Sequence, residues 1–157
     1  MKVTLLVVGK TDKKFVEEGT DEYVKRIKRY IPFDIKVLPD VKNTKNMPHE
    51  VQMEKEADAI LAALGGNQEV ILLDENGTEY TSVGFANFIE RHLVMGQRDL
   101  VFIIGGPYGF SQRVRAVASG KLSLSKLTYS HQLVRVVFAE QLYRAFTIIR
   151  GEPYHHQ

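Results

Sequence analysis

Residues 99–110 read DLVFIIGGPYGF, an apolar run that stops abruptly in three glycines around one proline. Leu100 to Ile104 are apolar without interruption and include Val and Ile, the pattern of a strand buried on both faces. Gly105, Gly106, Pro107 and Gly109 then put nearly bare backbone at the strand's carboxyl end. In open α/β sheets ligands bind at that end, and glycine lets backbone amides approach a ligand with no Cβ in between. A tight turn that merely reverses the chain would use the same residues, so the loop alone does not decide its own role. Ser111 is placed to cap a helix through Val117, whose first turn would face the same crevice.

The chain upstream repeats strand and helix. Val3 to Val8 reads as a buried strand ending at Gly9. Residues 12–30 space Phe15, Val16, Tyr23, Ile27 and Tyr30 between charges, as an amphipathic helix does, with Gly19 weakening its middle. A second strand is expected over Asp34 to Leu38, followed by a mobile surface loop over Pro39 to Pro48. His49 to Leu64 forms the second helix, stopped by Gly65-Gly66. Val70 to Leu73 is a short strand that ends in Asp74-Glu75-Asn76-Gly77, where Asn-Gly favours a tight turn. Ser82 would cap a third helix, carrying Phe85, Phe88, Ile89 and Leu93 and closing before Gly96.

Downstream, Leu122 to Leu127 reads LSLSKL, a period of two that predicts a last strand with Ser123 and Ser125 opposite the leucines. His131 to Ile149 is a helix that is apolar nearly all round, which calls for the sheet on one side and another cover on the other; a second copy of the chain is the simplest cover. Strands alternating with helices predict a three-layer α/β domain with a mainly parallel sheet. At 157 residues and 44% hydrophobic, the chain suits one domain over 1–157.

With no cysteine, disulfides, thiolate metal sites and cysteine nucleophiles are excluded, no metal is called for, and a cytoplasmic setting is the default. No apolar run reaches the length of a membrane span. A net charge of only +2 means that nucleic acid would have to be held by local clusters such as Lys13 and Lys14, Lys25, Arg26, Lys28 and Arg29, or Lys42 and Lys45. The plainer account of the first two clusters is a solvated helix face balanced by Glu17, Glu18, Asp21 and Glu22.

In IIGGPYG, in LSLSKLTYSHQLVRVVFAEQLYRAFTII and in the terminal PYHHQ the sequence closely resembles the RlmH family of 23S rRNA pseudouridine N3-methyltransferases, of the SPOUT superfamily. The resemblance runs the whole length. It implies a C-terminal trefoil knot, which chain-topology rules alone would never suggest, a homodimer, and S-adenosyl-L-methionine as cofactor. By matching motifs, the cofactor would sit among Leu73, Gly105, Gly106 and the stretch Leu124, Ser125, Lys126, Leu127, Thr128, Tyr129 and Ser130. The implied substrate is N3 of a pseudouridine in 23S rRNA within the assembled ribosome. GGPYG is not the dinucleotide fingerprint, since it lacks the G-x-G-x-x-G spacing. Tyr108, at the mouth of the implied site, departs from the family, which often has an acidic residue there.

Methylating a pyrimidine at C5 requires a covalent nucleophile, usually Cys, whereas an imide nitrogen needs only to lose its proton. The composition therefore permits N- or O-methylation. A nearby cation would stabilise the N3 anion, and a histidine or a carboxylate would accept the proton. His131 and Arg135, four apart, would share one face at the start of the last helix. A helix-capping or packing role explains His131 as well, but an arginine in an apolar run needs anionic or phosphate partners. Glu140 and Arg144 suit a structural ion pair. Tyr154 and His155 lie in a tail expected to fray, and the resemblance makes them candidates for closing a site, that of a partner subunit included. Two other classes fit less well: a non-catalytic RNA-binding module leaves the cofactor motif unused, and a small-molecule enzyme leaves the basic clusters unexplained.

Overall fold

The computed structural model describes residues 1–156. Five strands form one fully parallel sheet in the order β2-β1-β4-β3-β5: β1 (Val3–Val8), β2 (Phe33–Leu38), β3 (Gln68–Glu79), β4 (Asp99–Ile104) and β5 (Gly120–Ser123). Alternate residues of each central strand serve opposite faces. Val3, Leu5 and Val7 of β1, with Leu100, Phe102 and Ile104 of β4, meet helices α1 (Lys14–Ile27), α3 (Ser82–Met95) and α5 (Leu133–Ile149). Leu6, Val101 and Ile103 point the other way, toward α2 (His49–Ala63) and α4 (Gln112–Val117). The uninterrupted apolar runs are thus explained by two cores, one on each side of the sheet.

Helix α5 lies between α1 and α3 on its face of the sheet. Its apolar surface is therefore covered to a large extent within the chain, by Phe102 and Ile27 among others. The physical reason the sequence offers for a second copy is weakened accordingly.

Three local expectations change. Strand β3 does not end at Leu73 in a tight turn but continues to Glu79, shifting register between Leu73 and Thr78 as it pairs with β5. Gly77 makes this possible, because a Cβ there would stand 2.7 Å from the backbone of Lys121. Strand β5 stops at Ser123, and both Leu122 and Ser123 are buried, so the LSLSKL alternation does not divide core from solvent. The next residues turn instead, with the Ser123 hydroxyl donating to Ser125 O and the Leu127 amide to Ser125 Oγ. Helix α3 is capped by Thr81, whose Oγ1 accepts from the Gly84 amide at 3.0 Å, and not by Ser82.

From β5 at the sheet's edge, residues 124–132 run back to the central helix α5 past the 74–79 stretch, to which Thr128–Glu75 and Lys126–Glu79 tie them. The tail does not fray. Tyr154 stacks edge-on against Tyr143, and the Tyr30 hydroxyl donates to Glu152 at 2.6 Å. Burial and that carboxylate push the Tyr30 phenol up to about 12.

Candidate active site

The irregular middle of β3, from Leu73 to Asn76, and the carboxyl ends of β4 and β5 converge on a cavity of about 380 Å³. Such a volume lies within the range of small-molecule sites, and its position is where a parallel sheet leaves room for a ligand. Leu73, Gly105, Gly106, Leu124, Ser125, Leu127, Thr128 and Tyr129 all line it, as does His131. The structure thus brings eight of the ten residues expected to hold the cofactor to one wall.

The other two point elsewhere. Lys126 reaches out to Glu79 at 3.7 Å, and Ser130 Oγ accepts from the Leu133 amide at 3.0 Å, capping the start of α5. Neither lines the cavity.

The glycine loop is shaped by what stands behind it. A Cβ on Gly105 would lie 3.0 Å from the Phe110 ring, and one on Gly106 would lie 2.0 Å from Oε2 of Glu56. At either glycine a side chain would have to displace a neighbour, the Phe110 ring or the Glu56 carboxyl, and the Gly109 amide closes the loop on Gly106 O at 3.2 Å. At Ser111 the hydroxyl accepts from the Val114 amide, starting α4 as the sequence indicates.

Sequence reading missed the polar wall: Asp74, Glu75, Asn76 and Arg115 also line the cavity. Arg115 donates to Asp74 at 3.1 Å and lies over the Phe110 ring. Burial pushes Asp74 up, but the Asn76 amide, Arg115 and Lys121 outweigh it and hold the carboxyl below its ordinary value. The Asp-Glu-Asn-Gly sequence after Leu73 does put a loop beside the crevice, as its pattern suggests, but reading it only as a turn set aside its polar side chains.

Arg135 is 2% exposed and does not reach the cavity wall. Its Nε donates to His131 O at 3.1 Å, Nη1 to Thr11 Oγ1 at 2.9 Å and Nη2 to Val8 O at 3.0 Å. Neutral oxygens thus replace the expected phosphate. Burial lowers its pKa more than the charges of Asp40 and Asp12 raise it. Helix α5 starts at Leu133 and not at His131, and the guanidinium fastens its first turn, together with the turn at His131 that precedes it, to the carboxyl end of β1.

Tyr154 and His155 stand apart from this protomer's cavity. The Tyr154 hydroxyl donates to Glu140 at 3.0 Å, and Arg144, lying over the Tyr154 ring, bonds both Glu140 and His155. Arginine can only donate, so Nδ1 of His155 is the acceptor in this contact. Burial first, then hydrogen bonding to Tyr23 and to the Glu140 carboxylate, raises the Tyr154 phenol. The expected Glu140–Arg144 pair is present as part of this cluster. Among the described residues no group of three His, Asp or Glu side chains is placed to share a metal ion, and no helix is long and apolar enough to cross a membrane.

A family model described as "Predicted SPOUT methyltransferase" matches residues 1–155. The chain belongs to the SPOUT methyltransferase family. Curated relatives agree over the full length of both chains: proteins named "Ribosomal RNA large subunit methyltransferase H" from Phocaeicola vulgatus, Flavobacterium johnsoniae and Parabacteroides distasonis are 53%, 50% and 49% identical over 157 residues. A SPOUT methyltransferase needs a methyl donor.

Proposed function

We propose that this SPOUT methyltransferase transfers a methyl group from S-adenosyl-L-methionine to N3 of a pseudouridine in 23S rRNA on the assembled ribosome. The observation that carries the reading is the convergence of the motif residues Leu73, Gly105, Gly106 and Leu124 to Tyr129 on one cavity, in a chain whose full-length relatives are named for rRNA methylation. The residues fit the donor: two glycines bring bare backbone to the wall, and apolar Leu73, Leu124 and Leu127 face polar Asp74, Asn76 and Thr128. When bound, the donor supplies an electrophilic methyl group on a sulfonium sulfur.

The chain's own residues hold the reactants and handle the proton. As N3–H loses its proton, a bond forms between N3 and the methyl carbon and the carbon–sulfur bond breaks. His131, the imidazole on the cavity wall, takes that proton. Arg135 positions His131 through its carbonyl and adds a positive charge behind the site. Holding nucleophile and methyl group in line supplies much of the rate.

A homodimer completes this reading. Tyr154 and His155 are held on the Glu140–Arg144 pair and do not line their own chain's cavity, as expected if they close the partner's. Exposed Phe15 and Leu133, flanking the joint where Gln132 binds Asp12 and Lys10, supply apolar surface for the contact. The trefoil knot is part of the same proposal, with residues 124–132 threading past the 74–79 stretch within a single domain. Work on ribosomes places the enzyme in the cytoplasm.

The test gives purified protein labelled S-adenosylmethionine with intact ribosomes, free large subunits and naked 23S rRNA, each with and without the pseudouridine. Label should enter intact ribosomes that carry the pseudouridine. Equal rates on naked rRNA, or indifference to the pseudouridine, would reject the specificity.

A further inference from the structure

We propose that Tyr108, backed by His49, is a stacking platform for an unpaired base of the RNA substrate beside the methyl-donor cavity. The inference rests on the RNA-methylation reading and adds a contact to it. Tyr108 sits at the tip of the glycine loop, between Pro107 and Gly109, which both line the cavity while Tyr108 itself does not. Its ring lies nearly parallel to that of His49, the first residue of α2, with centroids 3.8 Å apart and an interplanar angle of 13°.

Core packing does not account for the pair. Tyr108 remains 42% exposed and His49 is exposed as well, so the stack offers a free aromatic face to solvent. A ring one residue from the cavity wall is too close to be independent of whatever enters there, yet it is outside the donor's volume. The macromolecular substrate is what remains to meet it.

The surrounding charge favours nucleic acid. The turn closed by the Met47 amide on Thr44 O carries Lys45 and leads directly into His49, with Lys42 just before it. Among the described residues neither lysine has a carboxylate within 4.0 Å, whereas Arg113 on α4 is already held by Glu54 and Asp58 of α2. An exposed aromatic face with unpaired lysines on the segment leading into it, and Glu50 as the one acidic neighbour of His49 in sequence, is a combination that single-stranded RNA uses: the ring takes the base and the lysines take phosphate.

The experiment measures steady-state methylation of intact ribosomes by wild type, Tyr108→Ala and Tyr108→Trp, with donor affinity measured by calorimetry. Tyr108→Ala should raise the KM for ribosomes about tenfold, the loss expected for one stacked base, with kcat and donor affinity near wild type. Tyr108→Trp, which keeps a flat ring, should hold KM near wild type. A wild-type KM in Tyr108→Ala, or a rise in Tyr108→Trp equal to that of alanine, would overturn the platform. Failure of the wild-type protein to methylate ribosomes would instead reject the RNA-methylation reading beneath it.

Discussion

Glu56 on α2 stands where the side chain of Gly106 would be: a Cβ built on the glycine would lie 2.0 Å from Glu56 Oε2. The carboxyl is 4% exposed, and its Oε1 has no hydrogen-bond partner among the described residues. The space beside Gly106 is therefore closed from behind, not from the cavity. A side chain at 106 must displace the carboxyl end of the buried Glu56 side chain, at a cost toward the low end of the about 1–3 kcal/mol of overpacking. Gly106→Ala should accordingly lower both the urea midpoint and the affinity for S-adenosylmethionine. Combining it with Glu56→Ala should recover part of the stability, a coupling of about 0.5–3 kcal/mol. Strict additivity of the two changes would mean that the residues do not meet.

The same carboxyl makes stability depend on pH. Burial first, and the charge of Asp40 second, raise its pKa above the ordinary glutamate value. Between the ordinary and the raised value, the native state keeps a proton that the unfolded chain has released. Stability due to Glu56 is thus fully present below the ordinary value and declines as pH rises through the native one. Glu56→Gln, neutral at every pH, should flatten that limb of the stability curve. Urea titrations at a series of pH values check it, and parallel curves for both proteins would refute the buried acid.

How much of this was legible in the sequence depended on whether local pattern or distant backbone decided a residue's place. LVFIIGGPYG announced a strand buried on both faces and a crevice at its end, because burial and missing side chains are local properties. The run of β3 past Leu73 was not legible, since it depends on β5, more than forty residues away, lying so close that a Cβ on Gly77 would stand 2.7 Å from Lys121. Likewise, the all-round apolarity of α5 could not say that α1 and α3 would flank it. Glu56 was hidden for the same reason: in the sequence it is one more charge on an amphipathic helix, and only packing against Gly106 distinguishes it from Glu54.

Arg135 provides a test that separates chemistry from donor binding. Its guanidinium satisfies His131 O, Thr11 Oγ1 and Val8 O at the carboxyl end of β1, and Arg135→Ala leaves those groups unpaired at about 1–3 kcal/mol for each buried one. Because the side chain does not line the cavity, calorimetric affinity for S-adenosylmethionine should stay near wild type while methylation is lost. Arg135→Lys keeps the charge but not the three-way fork, so it should restore stability only in part and turnover hardly at all. Normal turnover in Arg135→Ala would remove the residue from the proposed mechanism.

Whether Tyr154 and His155 serve a partner's cavity can be decided by mixing two defective proteins. Light scattering should first show a dimer at micromolar concentration; a monomer would end the proposal at once. His155→Ala removes the tail's imidazole, leaving the glycine loop and His131 intact, whereas Arg135→Ala damages the His131 end and leaves the tail intact. If each site takes its tail from the other subunit, a mixed dimer has one site with both defects and one site with neither. Unfolding and refolding an equal mixture makes half of the dimers mixed, so about a quarter of wild-type activity should return from two inactive parents. If instead each tail closes the site of its own chain, every site in the mixture carries one defect and no activity returns.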